Sequence, residues 1–109
     1  MPDYNKLEAS LAKQIGAKLV KNSGRGQFSF GDMLLGDFMV DAKFAKKSFG
    51  LSESSWGKVC TDAAKAKLEP ALIVVLGEED VPKTRVALVS MDILLDYVRL
   101  RELEEAGEL

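Results

Sequence analysis

Two aspartates and a lysine within one short stretch have the types and spacing that could bind a divalent cation. The stretch covers residues 31–44 and contains Asp32, Asp41 and Lys43 on either side of a Gly-Asp dipeptide at 36–37. This dipeptide is typical of a two-residue turn, because glycine and aspartate tolerate the positive φ that tight hairpins require. The sequence therefore predicts a β-hairpin over this stretch.

The turn determines which residues face each other across the hairpin. The expected pairs are Leu35 with Phe38, Leu34 with Met39, Met33 with Val40, and Asp32 with Asp41. Because alternate residues of a strand share a face, Asp32, Asp41 and Lys43 are expected on the same face. The opposite face is apolar and is expected to pack on the core; it carries Met33, Leu35, Phe38, Val40, Ala42 and Phe44.

Two facing carboxylates repel each other unless a positive charge lies between them. A divalent cation such as Mg²⁺ is one solution, since it prefers hard oxygen ligands and leaves coordination positions open for phosphate oxygens. A surface ion network in which Lys43 neutralises both aspartates is the other. The hairpin alone does not distinguish a metal site from this network.

Composition limits both the size of the protein and its chemistry. The 109 residues, of which 47% are hydrophobic, predict one domain with one core. Histidine is absent, which excludes His-based acid-base catalysis, catalytic triads with a His base and most zinc sites. There is one cysteine, Cys60, and no secretion signal or membrane span is evident. We therefore expect a cytoplasmic protein, without a membrane partner, in which catalysis would use carboxylates, lysine and metal.

The net charge of −2 is unevenly distributed along the chain. Residues 1–75 hold eleven Lys/Arg and eight Asp/Glu, a balance of +3, whereas residues 76–109 hold four and nine, a balance of −5. A polyanion responds to the local field more than to the net charge. The N-terminal part is therefore compatible with nucleic-acid binding.

Apolar periodicity places the hairpin in an α/β chain. A first helix is predicted from about residue 3 to 16, with Leu7, Leu11 and Ile15 as its apolar stripe and Glu8 beside that stripe. The later elements are a strand at 18–22, a helix capped by Ser52, a doubly buried strand at 71–76, a strand at 85–89 and a helix capped by Ser90. A mixed central β-sheet flanked by helices follows from this order.

The last helix is expected to pack on the sheet through Leu94, Leu95 and Val98. From about residue 102 the chain becomes an acidic tail, which is expected to fray. A single domain spanning residues 1–109 is the predicted organisation.

The order of these elements and the residues on them resemble the PD-(D/E)XK nuclease superfamily over residues 6–98. The matching segments are Glu8 on a helix, Gly16–Gly24, Gly31-Asp32, Phe38–Lys43, a helix with Trp56 and Lys58, and Pro70–Val75. Within the superfamily, the likeness is strongest to the archaeal-type Holliday junction resolvases, forms of which also occur in phages. The resemblance implies a restriction-endonuclease-like core.

The resemblance also implies a structure-selective endonuclease that resolves four-way DNA junctions by paired, symmetric phosphodiester hydrolysis. Asp32, Asp41 and Glu8 would hold Mg²⁺, for which Mn²⁺ could substitute. Lys43 would orient and activate the attacking water. Symmetric cutting of a four-way junction implies a homodimer with two sites.

The same resemblance places residues that would contact branched DNA. Lys21 occupies the place of a phosphate-contacting arginine, and Ser23 and Arg25 lie in a loop that contacts the substrate backbone in such resolvases. Further basic residues expected at the DNA backbone are Lys46, Lys47 and Lys58.

The chain departs from the family pattern at two positions, and other functions remain open. Asp41 stands where glutamate is commoner, and Ala9 stands where relatives carry an arginine. One alternative is another PD-(D/E)XK nuclease that acts on flaps, forks or nicked DNA. Another is a non-catalytic DNA-binding domain of the same fold, in which Lys43 pairs with the carboxylates.

Overall fold

The computed structural model describes residues 4–20, 33–78 and 83–108 of the chain. In chain order, the elements are α1 (Tyr4–Ile15), β1 (Lys18–Leu19), β2 (Met33–Leu35), β3 (Phe38–Ala45), α2 (Glu53–Lys65), β4 (Glu69–Leu76), β5 (Thr84–Leu88) and α3 (Met91–Glu105). This order of helices and strands agrees with the order that the sequence predicts.

The strands of the described residues form one mixed sheet in the order β1-β2-β3-β4-β5. Neighbouring strands are antiparallel except for β3 and β4, which are parallel and joined through α2. A parallel pair needs such a crossover, because the chain must return to the starting edge of the sheet. The predicted mixed sheet flanked by helices is thereby confirmed.

The hairpin between β2 and β3 has the register that its turn predicts. Met33 pairs with Val40, Leu34 with Met39, and Leu35 with Phe38. Gly36, the first residue of the turn, has a φ of 59°, a conformation that glycine adopts without strain. The remaining predicted pair, Asp32 with Asp41, lies outside the described residues.

Two helices cover opposite faces of the sheet. On one face, α1 packs its buried Leu11 and Ala12 against the sheet. The sheet residues of that cluster are Met33, Val40, Ala42, Ala71, Ile73 and Val75, with Leu35, Phe38 and Phe44 packed at its margin. The apolar face predicted for the hairpin is therefore the α1 side of the sheet.

The other face is covered by α2, which packs against β4 and β3. Ala63 of α2 is fully buried there, and Leu72 and Val74 of β4 are buried on the same side. Since β4 is buried on both faces from Ala71 to Val75, the prediction of a doubly covered strand is confirmed.

Helix α3 does not pack as its sequence predicts. Leu94, Leu95 and Val98, which were expected on its inner side, are 50%, 57% and 44% exposed. No residue of α3 is buried. The prediction was wrong because an apolar pattern favours a helix but does not show which layer of the protein, if any, covers it. No helix in the described part of the chain is long and apolar enough to cross a membrane.

Candidate active site

The candidate site begins with two charged side chains on β3. Asp41 and Lys43 alternate with the buried Val40 and Ala42, so both project from the face of the sheet that α1 does not cover. Their charged groups lie close together, with 3.4 Å between the Nζ atom of Lys43 and the Oδ2 atom of Asp41. The side chain of Asp41 is 28% exposed and that of Lys43 is 50% exposed. The pair is thus formed at the surface and remains accessible to a ligand.

The neighbours of this pair differ on its two sides. Along β4, Asp41 and Lys43 lie beside Leu72 and Val74, which are buried. On the other side, the residue predicted opposite Asp41 is Asp32, which lies outside the described residues.

Glu8 lies on α1, which covers the opposite face of the sheet from Asp41. Its side chain is half-buried, and Leu11 and Ala12, one turn further along, are buried against the sheet. The structure thus places Glu8 and Asp41 towards opposite faces of the sheet.

The described residues supply only part of the predicted metal-binding set. Within residues 4–20, 33–78 and 83–108, no group of three Asp, Glu or Cys side chains lies close enough to hold a metal ion. Asp32, the second ligand that the resemblance implies, lies outside these ranges. Asp41 supplies an oxygen donor of the kind that Mg²⁺ prefers, so the fit to a metal depends on Asp32 joining it.

The predicted DNA-contacting residues are distributed over different parts of the protein. Lys21, Ser23 and Arg25 lie outside the described residues. Lys46 and Lys47 are exposed just after β3. Lys46 lies on the α1 side, where it lines a small recess with Tyr4 and Phe44.

Lys58 lies on α2 and is held by a neighbouring carboxylate. Its Nζ atom donates a hydrogen bond of 3.0 Å to the Oδ2 atom of Asp62, one turn further along the helix. The ion pair lowers the net positive charge that Lys58 can present to DNA. Of the predicted basic contacts, Lys47 and Lys46 are the described ones without such a carboxylate partner.

Sequence reasoning missed two further cations, Lys83 and Arg85. Both line a cleft of about 340 Å³ between α1 and the sheet, on the face opposite Asp41. Lys83 directly precedes β5 and Arg85 lies within it; their spacing of two residues was the available signal, because alternate residues of an extended segment share a face. The α1 face therefore carries a basic cleft that the site prediction did not include.

Comparisons with protein-family models, with curated proteins and with solved structures found no match to this chain. The functional argument therefore depends on the residues of the chain and on their geometry.

Proposed function

We propose that this protein is a metal-dependent DNA endonuclease of the PD-(D/E)XK type that resolves four-way junctions. The observation that supports the proposal best is the Asp41–Lys43 pair, two residues apart on β3 and accessible at the surface. An acid and a lysine in this arrangement can bind a cation and orient a water molecule next to it. The order of elements around the pair is compatible with the restriction-endonuclease-like core that the proposal requires.

In the proposed site, Asp41 and Asp32 would hold Mg²⁺; the resemblance adds Glu8, directly or through water, although the structure places α1 on the opposite face of the sheet from Asp41. The metal ion would stabilise negative charge on the phosphoryl oxygens. Lys43, held in place by Asp41, would donate a hydrogen bond to the attacking water and orient its oxygen towards phosphorus. The water oxygen would form the new bond to phosphorus as the P–O bond to the leaving strand breaks; the water would lose a proton to solvent, and the leaving oxygen would take up a proton from solvent to become a hydroxyl. This chemistry needs no histidine, which the chain lacks.

Cleavage of a labelled four-way junction in Mg²⁺ tests the proposal directly. The wild-type protein should give paired, symmetric nicks, and Asp41→Asn, Asp32→Asn or Lys43→Ala should reduce the rate by roughly 100-fold or more, the scale of lost charge stabilisation in a catalytic site. Asp37→Asn is the matched control, because Asp37 lies in the exposed turn of the same hairpin. A variant that cuts at the wild-type rate would remove its residue from the site.

Parallel reactions on flaps, forks and nicked duplexes separate the resolvase from another nuclease of this type. A preference for the four-way junction, with cuts placed symmetrically about the branch, supports the resolvase. Faster cutting of a flap, fork or nicked substrate supports the other nuclease. The same labelled strands serve both comparisons.

A non-catalytic DNA-binding domain is a second candidate, and the Asp41–Lys43 ion pair is also compatible with it. In that case Lys43 neutralises Asp41, and the pair forms part of a solvated surface. Calorimetry distinguishes the two functions. Absence of Mg²⁺ and Mn²⁺ binding together with retained DNA binding would support the non-catalytic domain, whereas metal binding that is lost in Asp41→Asn would support the nuclease.

Paired cutting requires two sites, so we propose that the protein acts as a homodimer and that α3 supplies the contact. One broad side of α3 carries Met91, Leu94, Leu95, Tyr97 and Val98, which are 67%, 50%, 57%, 57% and 44% exposed. Each of these side chains is about half exposed, and the whole surface of such a residue is roughly 200 Å². If all five were covered in both copies, the contact would bury roughly 1,000 Å² in total, which is the lower limit for a specific interface. A two-fold axis through this side would place the same residues against each other.

A further inference from the structure

The basic cleft on the α1 face has features of a binding site that the proposed nuclease does not use. It lies between α1 and the ends of β3, β4 and β5, and has a volume of about 340 Å³. Sites for small ligands are typically concave and measure roughly 300–1,000 Å³. The residues that line it are Leu7, Ser10, Leu11, Gln14, Phe44, Val75, Lys83 and Arg85.

An adjoining recess of about 110 Å³ extends the cleft towards the end of β3. Phe44 and Lys83 line both spaces, while Tyr4 and Lys46 line the recess alone. The rings of Tyr4 and Phe44 are 6.1 Å apart between centroids and inclined by 41°. The recess therefore combines an aromatic wall with positive charge.

The described lining of the cleft is positively charged, in contrast to the protein as a whole. Three cations, Lys46, Lys83 and Arg85, line the two spaces, and none of the described lining residues is acidic. The chain as a whole carries a net charge of −2. In the described residues, none of the three cations has a carboxylate partner. A concave surface with a positively charged lining attracts anions.

Arg85 is held in position by neutral groups. Its Nη1 atom donates a hydrogen bond of 2.7 Å to the Oε1 atom of Gln14, and the Nε2 atom of Gln14 donates one of 3.3 Å to the hydroxyl of Ser10. The guanidinium is thus oriented without being neutralised. Its other N–H groups can donate to a phosphate, for which the planar guanidinium is well suited.

The geometry points to a nucleoside phosphate as the ligand of this cleft, with its base against Tyr4 and Phe44 and its phosphate between Lys83 and Arg85. Aromatic side chains stack on nucleobases, and the three cations balance the charge of the phosphate. The ligand could be a free mononucleotide or the end of a DNA strand, since both present this chemistry. The proposal does not depend on nuclease activity, because Asp41 and Lys43 lie on the other face of the sheet.

Titration of dAMP into ¹⁵N-labelled protein, followed by NMR, tests the site. Amide shifts are expected at Gln14, Phe44 and Arg85. Arg85→Gln should weaken binding at least tenfold, and Arg99→Gln on α3 is the matched control that should leave the affinity unchanged. Deoxyadenosine and inorganic phosphate, each lacking half of the ligand, should each bind at least tenfold more weakly than dAMP.

A 5′-phosphorylated oligonucleotide distinguishes the two sources of the ligand. If it shifts the cleft amides at lower concentration than dAMP, the cleft takes a DNA end; if dAMP is the tighter ligand, it takes a free nucleotide. Absence of shifts at the cleft with both ligands would overturn the proposal, as would equal dAMP affinity of Arg85→Gln and wild type. Lys83→Gln, on an exposed residue, repeats the test if Arg85→Gln does not fold. Junction cutting and dAMP binding are separate readouts, so one proposal can fail without the other.

Discussion

The central strand β4 and the C-terminal helix α3 are both rich in apolar residues, yet they differ completely in burial. From Ala71 to Val75, five consecutive residues of β4 are buried. In α3, by contrast, no residue is buried, although Leu94, Leu95 and Leu100 are as apolar as any residue of the strand. Apolar content therefore does not determine burial; position in the layered structure does.

Position in the sheet explains the difference. β4 has a strand on each side, β3 and β5, and it has helices on both faces, α1 and α2. α3 follows β5, the edge strand, in which residues 84–87 are exposed. In the described residues, no further layer covers the outer side of α3. The apolar side chains of α3 are thus available to another molecule, whereas those of β4 stabilise the fold.

The largest effect that this comparison predicts is on the free energy of unfolding. Leu72 is 1% exposed, so Leu72→Ala should lower that free energy by about 2–5 kcal/mol, through lost burial and a residual cavity. Leu100→Ala removes the same atoms from a residue that is 49% exposed and should cost no more than about 0.5 kcal/mol. Urea unfolding of both variants gives the comparison. Equal losses would show that α3 is packed as closely as the sheet centre.

A second prediction concerns association through α3. Leu95→Glu should weaken dimerisation at least tenfold, or about 1.4 kcal/mol, because a charge would be buried in the apolar contact between copies. Leu100→Glu is the matched control, since Leu100 lies on another side of the helix from Leu95 and Val98. Sedimentation over a range of concentrations measures both. A wild-type protein that stays monomeric at every concentration would exclude α3 as a dimer contact.

The sequence predicted local features of the fold well, because local signals determine them. The Gly-Asp turn at 36–37 determines the hairpin register from Leu35 and Phe38 outwards, and alternation places Asp41 and Lys43 on one face. The uninterrupted apolar run at 71–76 predicted the buried strand. Each of these predictions needed only neighbouring residues.

The features that sequence reasoning missed depend on contacts between distant segments. The parallel pairing of β3 and β4 brings Phe44 beside Val75. The antiparallel pairing of β4 and β5 brings Val75 beside Arg85. Gln14, which lies 71 positions before Arg85 in the sequence, accepts a hydrogen bond from the Arg85 guanidinium. Only the sheet order joins these residues into one cleft. The exposure of α3 was missed for the same reason, since coverage depends on which elements become neighbours.

The smallest predicted effect concerns the N-cap serines of α2 and α3. They occupy equivalent positions but differ in their hydrogen bonds. Ser52 forms a capping box: its Oγ accepts a hydrogen bond of 3.1 Å from the backbone N–H of Ser55, and the Ser55 hydroxyl lies 3.1 Å from the N–H of Ser52. Ser90 occupies the same position in α3 but makes no side-chain hydrogen bond to that helix.

Ser52→Ala should therefore lower the free energy of unfolding by about 1 kcal/mol, because it removes a partner from the free N–H groups of the first turn. Ser90→Ala should cost only a few tenths of that value, since no cap bond is lost. Thermal or urea unfolding of the two alanine variants measures the difference. If Ser90→Ala cost as much as Ser52→Ala, the start of α3 would be capped in solution and would contribute to stability as the start of α2 does. The smaller cost would instead show that the Ser90 side chain does not cap α3 as Ser52 caps α2.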